Sequence, residues 1–408
     1  MSANTLSTQS KEIVKASAPI LQEHGEKVTQ TFYHNLFQAH PELLNIFNET
    51  HQKKGKQPMA LANTLYAAAV NIERLEELLP AVKQIAHKHR SLNVLPEHYP
   101  IVGKYLLEAM REVLGESPQV EEVIQAWAEA YGIIADIFIN VEKEMYEEAS
   151  APIGGWSGFR AFILDKKIPE SSVITSFYLK PVDEKPLPNF KPGQYTSVQV
   201  QPINSRFKQM RQYSLSDAPG NDYLRISVKK EGGSPLHPDG AVSNYLHEEL
   251  SEGDTLLLTA PAGDFTLDES SDRPVVFISG GVGMTPLISM VNHLTKRGTD
   301  REITYLHGAR SEKEHAFHDH LVSLAKHHDH LKYGVCYEKE AGGGEYVKGS
   351  GFIDRTFLEE NLQTRDSDFY LCGPEPFMKA VFSALKEMGI SEGRIHYEFF
   401  SPGGSLGE

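Results

Sequence analysis

His89 is the first residue whose type and placement suggest chemistry. Within AVKQIAHKHRSLNVLPEHY (81–99), Val82, Ile85, Ala86 and His89 recur at i, i+3, i+4 and i+7, which predicts a helix carrying all four on one face. An imidazole that ends an apolar stripe can hold haem iron from one side. A satisfied core histidine gives the same pattern. His87 projects elsewhere, Pro96 stops the helix, and a new one opens beyond it with Tyr99, Val102, Tyr105 and Leu106 inward. On the last helix before residue 150, Tyr131, Ala135, Phe138 and Glu142 follow one another at fours and threes. Glu142 therefore sits on an apolar face, where a carboxylate needs a partner. Its neighbours Glu144, Glu147 and Glu148 read as a solvated acidic tail.

A second set of residues lies in the C-terminal part. Arg211-Gln212-Tyr213-Ser214 follows Pro192-Gly193-Gln194-Tyr195 by sixteen residues. On an exposed strand, a guanidinium suits phosphate, an aromatic ring can stack on a flavin, and a hydroxyl can bond a flavin nitrogen. An amphipathic edge strand would look the same. Gly240-Ala241-Val242-Ser243-Asn244 opens a helix whose free amides suit a diphosphate. Gly280-Gly281-Val282-Gly283-Met284-Thr285-Pro286 comes between an apolar strand and a helix, where glycines let a pyrophosphate reach the helix N-terminus. A mere turn would need one glycine there rather than three. Tyr370-Leu371-Cys372-Gly373-Pro374 closes a later strand at the same edge. Glu398, Phe399, Phe400, Ser401 and Pro402 add a carboxylate and aromatics that could cover a flavin face.

Three kinds of element must position these groups. From Ser7 to about Tyr146 the pattern is helical: Ser7 caps a first helix, Val28, Phe32 and Leu36 mark a second, Pro41 opens a short third ending near Phe47, and Gln57, Leu61 and Leu65 run along a fourth. The last helices are expected over about 97–114 and 120–146, and Glu147–Gly155 reads as a linker. Six short strands then predict a small antiparallel barrel: 159–164, 172–179, 195–200, 212–215, 224–228 and 255–259. From Pro274, strands 275–279, 303–307 and 369–372 alternate with helices 286–296, 314–325 and 376–388, which predicts a doubly wound parallel sheet. The expected limits are 1–147, a linker at 148–156, 157–268 and 269–408.

Composition bounds the rest. A chain of 408 residues, 40% hydrophobic and 23% charged, is an ordinary multidomain globular protein. A net charge of -15 argues against nucleic acid as a partner. No apolar run reaches a membrane span, the polar start lacks a signal peptide's regions, and the two cysteines form no disulfide framework, so the cytoplasm is the expected compartment.

PGQY, RQYS, GAVSN, GGVGMTP, YLCGP and YEFF together resemble the ferredoxin–NADP reductase family in identity, order and spacing over about residues 157–408. The resemblance implies FAD in the barrel and NADH or NADPH on the α/β domain, with a hydride passing to the flavin and electrons leaving singly. The usual glycine before the terminal proline is Ser401 here. The helical part resembles a globin, with Phe47 matching the ring packed on haem b and His89 the proximal ligand. The pairing is similar to the flavohaemoglobins over nearly the whole chain. That resemblance implies that Tyr33, Gln57 and Leu61 line the distal side, Tyr33 and Gln57 offering hydrogen bonds to iron-bound oxygen. It implies Tyr99 and Glu142 beside the His89 imidazole, and Lys88 and Glu398 near a haem–flavin junction.

The expected activity is nitric oxide dioxygenation, with nitric oxide, O₂ and NAD(P)H as substrates and nitrate as product. An oxygen-binding sensor or store with a self-reducing module, or a generic flavin or ferric reductase, would use the same parts. The choice of NADH or NADPH, and lipid in the distal pocket, stay open in the sequence.

Overall fold

The computed structural model describes residues 6–47, 55–202, 205–233, 239–339, 344–400 and 406. They form two compact units, one of residues 1–151, 156–158 and 201–211, the other of 152–155, 159–200 and 212–408.

The first unit is helical: α1 Thr8–Ala16, α2 Ala18–Ala39, α3 Lys56–Val70, α4 Leu79–Ser91, α5 His98–Leu114 and α6 Pro118–Ser150. The Ser7 side chain accepts from the Ser10 N–H, and Ser117 accepts from Val120 with Pro118 just inside the helix, so both helix starts are encoded by their caps. Three boundaries differ from expectation. The Pro41 segment is a single 3₁₀ stretch, Pro41–Asn45. α4 stops at Ser91, because Asn93 turns left-handed (φ 58°) before Pro96 is reached. α6 runs on to Ser150, since Glu147, Glu148 and Ala149 are good helix formers and only Pro152 and the left-handed Gly154 (φ 79°) end it.

The apolar residues of this unit fall into separate clusters. A large one gathers Val28, Phe32, Leu36, Leu65, Leu106, Met110 and Trp127, with Phe47 and Leu61 at its margin. A small one holds Val82, Tyr99, Ala135 and Phe138, with Ile85 against it.

The second unit begins with strands β1 Phe159–Pro169, β2 Ile174–Pro181, β3 Tyr195–Val200, β4 Gln209–Ser214, β5 Leu224–Lys229 and β6 Thr255–Thr259. Their order is β4-β3-β6-β1-β2-β5. A bridge from Leu215, just past β4, to Ile226 on β5 joins the two edges, so the sheet closes as a barrel. β1 extends five residues past its expected end at Leu164, and β4 starts three before its expected start at Gln212. A short helix, α7 Ala241–Asn244, continues as a π-helical turn to Glu249.

The remaining strands are β7 Val275–Gly280, β8 Ile303–Ala309, β9 Leu331–Tyr337, β10 Val347–Ser350, β11 Asp368–Cys372 and β12 Ile395–Glu398. All pair in parallel, in the order β10-β9-β8-β7-β11-β12. Every residue of β7 and β11 is buried, as a sheet covered on both faces requires. The cover is α8 Met284–Arg297, α9 His318–His327, α10 Arg355–Asn361 and α11 Glu375–Glu387. α9 starts four residues later than expected, because Phe317 is left-handed (φ 58°). The chain reverses its winding between β7 and β11, which opens a crevice at their C-terminal ends. No described helix is long and apolar enough to cross a membrane.

Candidate functional site

α4, α5 and α6 bring His89, Tyr99 and Glu142 together. His89 Nδ1 lies 2.7 Å from Glu142 Oε1 and 3.2 Å from the Tyr99 hydroxyl, and that hydroxyl donates to the same carboxylate oxygen at 2.6 Å. Glu142 is buried, so it accepts from both rather than from water. Burial, and then the adjacent Glu142, raise the Tyr99 phenol far above its usual range and keep it a donor. A carboxylate accepting at Nδ1 fixes the imidazole proton there and leaves the Nε2 lone pair for another ligand. The Phe138 ring, 5.7 Å from the imidazole, backs it on the α6 side. Lys88 precedes His89 on α4 and is half-buried.

α6 also fixes Tyr99 from behind. Tyr131 donates its hydroxyl to the Tyr99 carbonyl at 2.7 Å. Its ring lies across α5 at Gly103, where any Cβ would overlap Tyr131 Cε1. One turn past Glu142, Tyr146 donates to the Val94 carbonyl at 2.9 Å and ties the end of the α4–α5 connection to α6.

The other expected polar groups of this unit sit on α2 and α3. Tyr33 is buried, its ring 4.7 Å from Phe32 and 5.7 Å from both Phe37 and Phe47. Thr29, one turn earlier, donates to the Pro58 carbonyl at 2.9 Å, and a Cβ at Gly25 would stand only 3.4 Å from Ala62 Cβ, so α2 and the start of α3 pack closely. Gln57 and Leu61 lie on that first part of α3. Gln57 Oε1 is buried with no hydrogen-bond partner among the described residues. A buried orphan amide calls for a ligand, and the amide can present either its oxygen or its N–H to it.

On the barrel, Arg211, Gln212 and Tyr213 are half-exposed near the end of β4 while Ser214 is buried. Gln212 Nε2 donates to Ser197 Oγ at 3.3 Å, and the Arg211 guanidinium donates to the Met210 carbonyl at 2.7 Å. The Tyr195 ring rests on left-handed Gly263 (φ 109°), where a Cβ would be 2.9 Å from its Cε1. The Gly240 turn is bound to the Glu231 backbone: Gly240 N–H donates to Glu231 O at 3.0 Å, and Ser243 Oγ accepts from Glu231 N–H at 3.2 Å. Val242 is wholly buried, so it offers a ligand its backbone and not its side chain.

At the β7–α8 turn the glycines have distinct reasons. Gly281 is left-handed (φ 53°) with open space where a Cβ would stand. Gly283 packs on the end of β11 so closely that a Cβ would overlap the Cys372 carbonyl, and at Gly280 it would be 3.0 Å from the Phe377 ring. Val282 is half-buried and its carbonyl accepts from Thr285 Oγ1 at 3.1 Å. Met284 is a core residue, so its side chain is not free to meet a nucleotide. Cys372 is buried opposite Glu398 on β12; its thiol donates to the Glu398 carbonyl at 3.6 Å and is raised well above the usual range by burial. Phe399 packs on the core while Phe400 is exposed. Ser401 and Pro402 lie outside the described residues.

The globin family model matches residues 30–138, and the oxidoreductase NAD-binding domain model matches 277–382. The chain is 56% identical over 409 aligned positions to a flavohemoprotein of Halalkalibacterium halodurans, covering 100% of this chain and 99% of the relative. It belongs to the flavohemoprotein family. The Bacillus subtilis flavohemoprotein is 48% identical, with 99% of each chain covered. Among solved structures, a flavohemoglobin of Malassezia yamatoensis with bound FAD and heme superposes with a TM-score of 0.82 at 28% identity, covering 97% of this chain and 100% of that one. The FAD/NAD-binding domain of a nitric oxide dioxygenase from Vibrio cholerae gives 0.55 at 40% identity, covering 59% and 97%.

Three supporting residues of this flavohemoprotein, two in the helical unit and one in the α/β region, carry little sequence signal. Spacing marks Tyr131 only as an inward residue. Tyr146, four residues after Glu142, continues the same face and could have been found by extending it. Phe377, whose ring takes the place of a Cβ at Gly280 and Gly373, leaves no sequence signal.

Proposed function

We propose that this flavohemoprotein is a nitric oxide dioxygenase that uses haem b, FAD and NADH or NADPH in the cytoplasm. The observation carrying this reading is the single Glu142 oxygen that accepts from both His89 Nδ1 and Tyr99. A buried anion on the proximal imidazole makes it a stronger electron donor than a neutral partner would, which favours oxygen chemistry over carriage.

The residues fit a haem. His89 offers Nε2, Gln57 Oε1 is an unmatched buried acceptor, and the apolar core of the unit is divided into two clusters as a flat ring between them requires. Haem, when bound, supplies the iron at which dioxygen meets nitric oxide, and FAD splits a nicotinamide hydride into single electrons. Glu142 and Tyr99 hold the imidazole proton at Nδ1, and the Tyr33 hydroxyl and Gln57 amide would donate to a polar diatomic ligand. Tyr213 stacks a flavin ring and Arg211 meets its phosphate. The Gly280–Gly283 turn leaves room for a pyrophosphate against the α8 N-terminus. Oxidising nitric oxide to nitrate with a whole dioxygen molecule leaves a deficit of one electron per turnover, so one nicotinamide serves two nitric oxide molecules.

The test is nitric oxide and oxygen consumption by the purified full chain with NADH or NADPH. Sustained loss of nitric oxide in proportion to nicotinamide, with nitrate formed, supports the reading. A brief burst of nicotinamide oxidation followed by rest indicates an oxygen store. Turnover that survives removal of haem indicates a plain flavin reductase.

A further inference from the structure

We propose that Asp217 is a positioning residue for hydride transfer, registering the flavin-binding end of β4 against α8, the helix whose N-terminus receives the nicotinamide's pyrophosphate. This rests on the FAD reading of β4 and the nucleotide reading of the Gly280–Gly283 turn, and adds the link between them.

Asp217 comes three residues after Ser214, the last residue of β4. The barrel holds it first. Ser216 N–H donates to the Arg225 carbonyl on β5 at 2.8 Å. The buried Arg225 guanidinium turns back, Nε donating to Ser216 Oγ at 3.2 Å and Nη2 to the Ser216 carbonyl. Its Nη1 stands 3.5 Å from Asp217 Oδ2, an oxygen that also accepts from the Tyr223 hydroxyl at 2.8 Å. One side of the carboxylate is thereby fixed by groups of the barrel alone.

The other side meets α8. Asp217 Oδ1 accepts from Asn292 Nδ2 at 2.8 Å, and the Asp217 carbonyl accepts from Ser289 Oγ at 2.7 Å. Ser289 and Asn292 stand at i and i+3 on α8, and Lys296 continues that face, donating to Asn221 Oδ1 at 2.9 Å. Ser289 and Asn292 are buried, where polar groups are costly unless their bonds are made. Those bonds are directional, so they fix one register where an apolar face would let the helix slide. A carboxylate only accepts, so it also sets the Asn292 amide, whose oxygen accepts from His320 Nε2 on α9 at 2.7 Å. Arg225 lies 4.9 Å over the ring of Phe317, the residue just before α9. The network runs from β5 through Asp217 to α8 and α9.

Hydride transfer is the step most sensitive to such a register. It breaks a C–H bond of the dihydronicotinamide and passes the hydrogen with both electrons to the oxidised flavin, leaving oxidised nicotinamide. The reacting atoms must come within about 3–3.5 Å, and a misplacement of about 1 Å can cost a hundredfold. One ring is carried by the barrel and the other by the α/β sheet, and Asp217 bonds to both.

The experiment follows anaerobic flavin reduction by NADH or NADPH in the FAD-loaded full chain by stopped flow, with ADP-ribose binding measured by calorimetry. Asp217→Ala and Asn292→Ala are each expected to slow the limiting rate of flavin reduction by roughly ten- to a hundredfold, with FAD content and ADP-ribose affinity at the wild-type level. Asn292→Asp sets two carboxylates together and is expected to be slow as well. Adding Asp217→Asn to it restores the bond with donor and acceptor exchanged, and is expected to recover rate. A wild-type limiting rate in both alanine variants overturns the proposal. So does a loss of FAD or of ADP-ribose affinity as large as the loss of rate, which makes Asp217 a support of binding alone, and so does an exchanged pair no faster than Asn292→Asp. If Asp217→Ala does not fold, Asn292→Ala and the exchanged pair decide. A wild type whose flavin neither nicotinamide reduces overturns the cofactor reading beneath it as well.

Discussion

His89 Nδ1 and Glu142 Oε1 are 2.7 Å apart although 53 residues separate them in the chain. The imidazole is partly exposed, with 32% of its side chain accessible, and the carboxylate is 4% accessible, so the exposed partner is oriented by the buried one.

Glu142→Gln keeps the shape and removes the charge. Tyr99 can still donate to the amide oxygen, and His89 loses its anionic partner. Turnover with nitric oxide should fall ten- to a hundredfold, the usual range for a ligand-supporting group. Haem should be retained and its reduction midpoint should rise, because a less basic imidazole favours the ferrous state. Spectroelectrochemical titration checks this; an unchanged midpoint would remove the electrostatic role.

His89→Ala should abolish stable haem retention while leaving FAD content and nicotinamide oxidation by artificial acceptors in place. The absorption spectrum of the purified variant decides, through loss of the Soret band beside intact flavin absorption. The same loss from His87→Ala would put the ligand on the wrong face of α4.

Tyr33→Phe keeps the ring against Phe32, Phe37 and Phe47 and deletes one donor. A bond to a developing anion in a dry pocket contributes on the order of 2–4 kcal/mol. Oxygen should then dissociate roughly ten- to a thousandfold faster, at about 1.4 kcal/mol per decade, and carbon monoxide far less. Stopped-flow dissociation of both gases distinguishes this from a steric role, which would move the two equally.

Gly281 and Gly283 should separate binding from folding. Gly281→Val meets open space and costs only left-handed strain, about 1–2 kcal/mol, so its main effect should be a raised KM for NAD(P)H. Gly283→Ala drives a methyl into the Cys372 carbonyl and should lower the melting temperature. Thermal melts paired with nicotinamide kinetics test the contrast, which fails if Gly283→Ala melts like the wild type.

Acid should weaken the α/β region through His307. Burial first, and the nearby His318 second, push its pKa down from 6.5 to about 3. The unfolded chain takes up a proton near 6.5 that the folded chain refuses, so the contribution is complete above 6.5 and is lost as pH falls toward 3. His315, stacked 4.5 Å from His307, is shifted the same way, first by burial and then by His307 and His318. Urea midpoints should drop between pH 7 and 5, and His307→Gln should flatten that slope.

Periodicity made much of this legible. The face of His89 and the face of Glu142 each came from spacing alone, and β3 and β6 fall where alternation puts them. Ends were harder. α4 stops at Ser91 ahead of Asn93 and α9 waits for Phe317, both non-glycine residues held left-handed by their surroundings, and no local preference announces that. The inward side chains of Val242 and Met284 were hidden for a similar reason: a motif names positions, whereas only packing decides which atoms of each position face a ligand. Gln57 shows the reverse, since its orphan oxygen is visible only once its neighbours are placed.

Gly103 has no side chain and touches none of the reacting groups, yet it is the gap that lets Tyr131 lie flat and hold the Tyr99 backbone. A methyl there would push the tyrosine off, and the fault would pass through the Tyr99 carbonyl to the hydroxyl that shares Glu142 with His89. A saturation scan scored by nitric oxide survival would therefore rank this position among the chemical ones, and sequence drift among descendants would leave it untouched while exposed neighbours on α5 varied. Its importance would be read as participation, when what it supplies is room.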